Sequence, residues 1–153
     1  MALNNSERIG RSLEALRVGL SPYFIREVRT KFKDEEWMAE SWQALENKPQ
    51  YKEAQILLEA DVDEFAKKVE VNALLQLVRR YDRDVFFEKL GHVGKTYLSE
   101  IQSARNKWAH QETFSVIDAH RVVDTITRLL EMISSEQAKV TEEHARILLR
   151  TRY

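Results

Sequence analysis

Glycine and proline stop helices and make tight turns, and this chain carries only four and two of them in 153 positions. Leu, Ala, Glu, Lys and Arg, the residues that hold a helix, are plentiful throughout. A sheet-rich fold needs a turn every few residues and is excluded on that ground. Disorder is excluded as well, because 43% of the residues are apolar, with Trp37, Trp42 and Trp108 among them. The length suits one domain with a sizeable single core. The expectation is an all-α fold, a compact bundle of four to six helices.

The apolar spacing fills in that outline. From Ser6, a candidate N-cap, Ile9, Leu13, Leu16 and Leu20 recur at helical steps. Gly19 weakens the pattern, and Ser21-Pro22 reads as a new start, with Ile25, Val28 and Phe32 carrying a second helix to about Lys33. Trp37, Met38 and Trp42 predict a short third helix, ended by Asn47-Lys48-Pro49. Residues 51–69 are the least readable. Helical spacing resumes from Val71 through Leu74, Val78, Tyr81, Val85, Phe86 and Leu90, with Gly91 as the natural stop. The run Gly91-His92-Val93-Gly94-Lys95-Thr96 only echoes a phosphate loop and reads as a turn between helices. From Gly94, Tyr97, Ile101, Ala104 and Trp108 share one face of the next helix. Ser115 and Asp118 form a capping box opening a last long helix with Val122, Ile126, Leu129 or Leu130, and Ile133 inward. Residues 1–135 read as the helical domain and 136–153 as a charged helical tail or a linker to a further region. No repeat and no sustained heptad pattern is present.

Charge and cysteine content narrow the functions. With 24 basic and 25 acidic side chains the overall field neither attracts nor repels a polyanion, so any nucleic-acid affinity is local. The absence of cysteine removes disulfides, thiol nucleophiles and thiolate metal sites. The four histidines His92, His110, His120 and His144 form no His-x-x-x-His or Glu-x-x-His pair, so neither a metal centre nor a cofactor is expected. No apolar run is long enough to span a bilayer, and no signal segment opens the chain, which reads as cytoplasmic without a membrane partner.

The run Ser103-Ala104-Arg105-Asn106-Lys107-Trp108-Ala109-His110-Gln111 is the part that could carry chemistry. Cleaving RNA without a metal needs a group that moves a proton near neutral pH, which His110 supplies. It also needs a fixed cation for the phosphate, the role of Arg105, while Asn106, one turn before His110, could orient the imidazole. The RNA brings its own nucleophile, the 2′-hydroxyl. Spacing alone decides little, since a chain of this composition holds roughly one Arg-x(4–6)-His pair by chance. A surface Arg105 and a helix-terminal His110 stay open on that basis. Lys107 is a candidate for a neighbouring phosphate or an ordinary surface lysine, and Glu100 either holds the Arg105 guanidinium or is a solvated carboxylate. Trp108 could stack a base but continues the apolar stripe, which favours the core.

The run Arg105-Asn106-x-Trp108-Ala109-His110, near a helix end and just before a capped final helix, resembles the HEPN superfamily (higher eukaryote and prokaryote nucleotide-binding). Active members are similar in carrying arginine, a polar residue and then a histidine. The likeness is to a branch shared by a eukaryotic nuclear RNA-quality-control endoribonuclease and by N-terminal parts of bacterial helicases and ATPases, many linked to phage defence. Asn5 to Gly10, Leu13 through Pro22, Val71 to Leu75, Ser99 to Ile101, Phe114-Ser115 and Arg121 to Asp124 share it. It covers most of residues 5–133, leaving 49–69 and the tail unmatched. What the resemblance implies is a homodimer in which two Arg105/His110 pairs meet in one cleft, a metal-independent endoribonuclease acting on RNA, and a cyclic phosphate product. It also implies a fused or separate ATPase or helicase as partner. The rival readings are a non-catalytic RNA-binding or dimerisation module, and a toxin restrained by an antitoxin.

Overall fold

The computed structural model describes residues 3–45 and 48–152. Among them there are eight α-helices and no strand: α1 (Asn5–Val28), α2 (Asp34–Leu45), α3 (Lys52–Ala60), α4 (Val62–Lys68), α5 (Val71–Arg80), α6 (Phe87–Ala109), α7 (Val116–Met132) and α8 (Ala138–Arg152). The all-α class is as expected, and the helix number is a little higher. The excess comes from residues 49–69, where a single 3-10 turn, Pro49–Tyr51, and two helices of nine and seven residues are too short to show a period, and from α8. Asn47, expected to help end the third helix, lies outside the described residues.

Helix α1 runs through the middle of the bundle. Ile9, Leu16, Leu20 and Phe24 are fully buried along one side of it, and α7, α5, α8, α4 and α6 pack around them. Its N-cap is Asn4 rather than Ser6. The Asn4 side chain accepts from the Glu7 N–H at 2.8 Å and the Glu7 carboxylate accepts from the Asn4 N–H at 3.2 Å, a reciprocal box.

The break expected at Gly19 and Ser21-Pro22 does not occur; α1 continues to Val28 with Pro22 inside it. Pro22 lies on the exposed side, as does Val18, whose carbonyl loses its helical partner there and can turn to water. The Ser21 hydroxyl is spent on the Ala66 carbonyl of α4 at 2.8 Å instead of a cap. Gly19 serves packing: a Cβ there would stand 2.5 Å from Ser135 Oγ and 2.8 Å from Leu130 Cδ2.

At the centre Phe24 meets Trp37 edge-on at 5.8 Å and stacks on Phe86 at 5.8 Å, while Trp37 meets Phe65 at 5.8 Å. Tyr81 completes the cluster. Its hydroxyl donates to the Trp37 carbonyl at 3.0 Å and lies 3.1 Å from Ser41 Oγ, and burial pushes its ionisation up to about 12. The helix from Val71 stops here rather than at Gly91. The Tyr81 carbonyl accepts from both Val85 and Phe86, opening a π-turn over Asp82–Phe86. That wider turn puts Tyr81 and Phe86, five apart, on the same buried face. Gly91 is a kink inside α6, at φ 62° and ψ −164°, a region essentially closed to other residues.

Residues 138–152, within the segment expected as a charged helical tail or a linker, form a helix packed on α7 and α1. Ala138, Thr141, Ala145 and Leu148 are its buried positions, and three small or polar residues among four make a weak apolar stripe. Thr127 Oγ1 on α7 donates to Thr141 Oγ1 at 2.6 Å. Arg8 of α1 donates through Nη1 to His144 Nδ1 at 3.1 Å, since a guanidinium has no acceptor.

Two outcomes follow for stability. Gly91→Ala lowers the unfolding free energy by about 1–3 kcal/mol from backbone strain alone, because a Cβ there meets nothing within 4 Å; urea unfolding checks it, and an unchanged midpoint contradicts it. The second concerns pH. Burial, then the Arg8 and Arg11 charges, holds His144 below its ordinary value of 6.5, against an opposing pull from Glu143. The unfolded chain therefore binds more protons, so stability is flat above pH 6.5 and falls as pH drops through the folded value. Glu14, Glu27 and Asp34, held low first by hydrogen bonds from Arg17, Lys89 and Arg29, lose their contributions only at more acid pH, below 4.5. Thermal midpoints taken from pH 7.5 down to 5 decline in the wild type, and His144→Gln flattens that part of the curve.

Candidate functional site

The last four turns of α6 divide their side chains among three directions. Leu98, Ile101 and Ala104 are buried in the core. Lys95, Ser99, Gln102, Asn106 and His110 recur at steps of four, three, four and four, which sets one polar stripe along the side that faces α5. The remaining side, with Glu100 and Lys107, faces α7.

Gln102 organises the polar stripe. Its Nε2 donates to Asn72 Oδ1 on α5 at 2.8 Å and to Asn106 Oδ1 at 3.1 Å. Both amide oxygens are thereby occupied, and the Asn106 NH2 is left with no partner among the described residues. Gln102 Oε1 is buried and unpartnered.

Arg105 lies between this stripe and the core. Its side chain is 18% exposed, with Nη2 3.6 Å from Glu70 Oε1 at the start of α5. Its Nε is buried with no partner. Tyr51 is close enough that the Arg105 and Arg79 charges oppose the burial that raises its phenol. Glu70 is 58% exposed, and a long ion pair with an exposed partner contributes about 1 kcal/mol or less. A phosphate could displace it.

His110 caps the C-terminus of α6 and is exposed. The Gln111 N–H donates to the Trp108 carbonyl at 3.0 Å and the Glu112 N–H to the Lys107 carbonyl at 3.1 Å, with Gln111 at φ 59°. That bond pair is a helix terminator, here built without glycine. It holds the backbone around His110 while leaving the imidazole in solvent. Trp108, partly buried against the core, donates Nε1 to the Ser6 carbonyl at 3.1 Å, and its ring lies over Gly10. Asn5 Nδ2 donates to the Phe114 carbonyl at 3.0 Å. The start of α1 thus clamps both sides of the turn after His110.

Glu100 and Lys107 lie apart from this arrangement. They line a groove of about 360 Å³ between α6 and α7, with Arg121, Phe114 and Val122. Glu100 pairs with Arg121 at 3.1 Å, not with Arg105, because the five-residue step from 100 to 105 turns the two side chains to different sides of the helix. Asn106 lies on the α5 side with the Glu70 partner of Arg105, and Lys107 does not; within one chain no bond joins the His110 imidazole to Arg105 among the described residues, and the same five-residue step turns these two to different sides of α6. Of the other histidines, His144 holds Arg8 and His92 meets the Phe87 ring edge-on at 4.9 Å.

Glu70, Asn72 and Gln102 were not candidates from the sequence. The stripe of Lys95, Ser99, Gln102, Asn106 and His110 is readable as a period, but the Glu70 to Arg105 pairing spans 35 positions with no local signal. Among the described residues no three His, Cys, Asp or Glu side chains converge as a metal site, and no helix is long and apolar enough to cross a membrane.

Comparison with known proteins adds one finding. No curated protein and no solved structure matches the chain. A family model described as Swt1-like HEPN matches residues 11–134, from the first turns of α1 to just past α7. That span holds the whole Arg105 to His110 run and the α5 residues that face it, and the chain belongs to the Swt1-like HEPN family.

Proposed function

We propose that the protein is a metal-independent endoribonuclease domain that cuts RNA by transesterification. The observation that carries this reading is an exposed His110, on a terminator-fixed backbone, at the end of the same helix that carries Asn106 with its free amide and an Arg105 positioned against Glu70. Neutral His110 takes the proton of the ribose 2′-hydroxyl as that oxygen bonds to phosphorus. The bond from phosphorus to the 5′ oxygen breaks, and the leaving oxygen receives a proton from an imidazolium. One chain supplies one such histidine, so a second copy facing the first gives both the base and the acid. Arg105 holds a non-bridging oxygen as charge builds on it, and the free Asn106 amide donates to the same phosphate. The products are a 2′,3′-cyclic phosphate and a 5′-hydroxyl. A role in phage defence, or as a toxin held by an antitoxin, would use the same chemistry.

A second reading has its own support. Arg105 is mostly buried and already paired with Glu70, which suits a non-catalytic module that binds RNA or a partner protein, attached to an ATPase or helicase.

Cleavage of a labelled single-stranded RNA in EDTA separates the two. The wild type cuts it, and His110→Ala loses at least about 100-fold, the usual worth of a general acid/base. Arg105→Lys falls with it, because an ammonium lacks the guanidinium fork. Equal cutting by all three proteins would trace the activity elsewhere and sink the proposal; no cutting by any favours the module.

A further inference from the structure

The polar stripe of α6 does not end at Asn106. Toward the other end of the helix it opens into a second groove, about 420 Å³, between α5 and α6 and lined by Gln76, Arg79, Arg80, Asp82, Lys95 and Ser99. We infer that this groove is a phosphate track that carries the RNA strand from Lys95 to the Arg105/His110 site. The inference rests on the reading of RNA as the substrate.

Three observations converge. The first is continuity. Lys95, Ser99, Gln102, Asn106 and His110 form one helical stripe, and Asn72, Gln76 and Arg79 form the facing stripe on α5, joined to it by the Asn72 to Gln102 bond. At 1.5 Å of rise per residue the stripe from Lys95 to His110 is about 22 Å long, room for several successive phosphates.

The second is sign. This groove is lined by three cations, of which Arg80 is paired with Glu40, and one carboxylate. The neighbouring α6–α7 groove sets Lys107 and Arg121 against Glu100, Glu112 and Asp118, which repels a polyanion. Backbone phosphates are read by charge rather than by base edges, so the difference selects the α5 side.

The third is availability. Arg79 is exposed and makes no ion pair among the described residues. Lys95 is 64% exposed and only 3.9 Å from Asp82 Oδ2, while Asp82 Oδ1 is buried with no partner. Arg80 is the least available, held by Glu40 at 2.7 Å. Arg79 and Lys95 are therefore the two groups assigned to phosphates. Their charges lie at the end of the track away from His110, so they would add affinity for long strands without entering the chemistry.

The test uses a 2′-O-methyl oligouridylate of twelve residues, which keeps the phosphates but has no nucleophile, so binding is read without cleavage. Fluorescence anisotropy compares the wild type with Arg79→Glu/Lys95→Glu and with Arg128→Glu/Arg146→Glu, an equal change of net charge on exposed residues of α7 and α8. The track variant is expected to lose at least tenfold in affinity, and the control to stay within threefold. Each phosphate contact in a single strand adds about 0.7 to the slope of log affinity against log salt, so losing two flattens it by about 1.4. Arg79→Gln/Lys95→Gln, with helicity checked by circular dichroism, shifts the same way by less. No binding by the wild type, or equal losses in track and control variants, overturns the inference. A wild type that binds this strand through the groove yet never cuts its unmodified counterpart supports the track and removes the nuclease reading.

Discussion

The burial of α1 is the constraint on which the rest depends. More than half of its residues are buried, and five other helices pack on it. A helix enclosed this way has few positions left for local signals to act independently. Gly19 is small because the turn between α7 and α8 crosses there, and the Ser21 hydroxyl reaches α4. The same helix reaches the site. Through Asn5, Ser6 and Gly10 its first two turns grip Phe114 and Trp108, so the position of His110 is set by the core as well as by its own terminator. Burying a Leu or Phe side chain contributes about 1.5–3 kcal/mol, and α1 does so repeatedly with Ile9, Leu16, Leu20 and Phe24. The weaker clamp on the motif is supported by that larger reserve.

What the sequence makes legible follows this division between local and long-range causes. The all-α class rests on composition and on a period of 3.6, both local, and the structure has it. Ser115 caps α7 as expected, its side chain accepting from the Asp118 N–H at 3.1 Å, because a cap is decided within four residues, although the return bond from Asp118 that would complete the expected capping box is not made. The continuity of α1 across Ser21-Pro22 was hidden, since a serine before a proline looks the same whether its hydroxyl caps a helix or crosses to another one. The end of α5 was hidden for a related reason: Tyr81, Val85 and Phe86 keep an apolar pattern that an α-helix and a π-turn share. The packing of α8 on the bundle was hidden because Thr141 and His144, polar residues, are part of it.

In the site, the residue types of Arg105, Asn106 and His110 were readable and their surroundings were not. Glu70 as the arginine's partner, and Gln102 as the hub between Asn72 and Asn106, depend on which side of α6 lies against α5. That fact exists only in three dimensions. Once known, it sorts the neighbours: Asn106 and His110 share the α5 side, and Glu100 and Lys107 belong to a different groove. On the proposed track, a polyanion approaches α6 from its polar seam rather than from the more acidic groove on the other side.

The central claim is transesterification by side chains alone, and the ends of the RNA products test it most directly. ³¹P NMR of the fragments released in EDTA should show a 2′,3′-cyclic phosphate, with 5′-hydroxyl termini on the other side of each cut. Fragments ending in 3′-hydroxyl and 5′-phosphate would mean that water, not the ribose, attacked phosphorus, and would contradict the account.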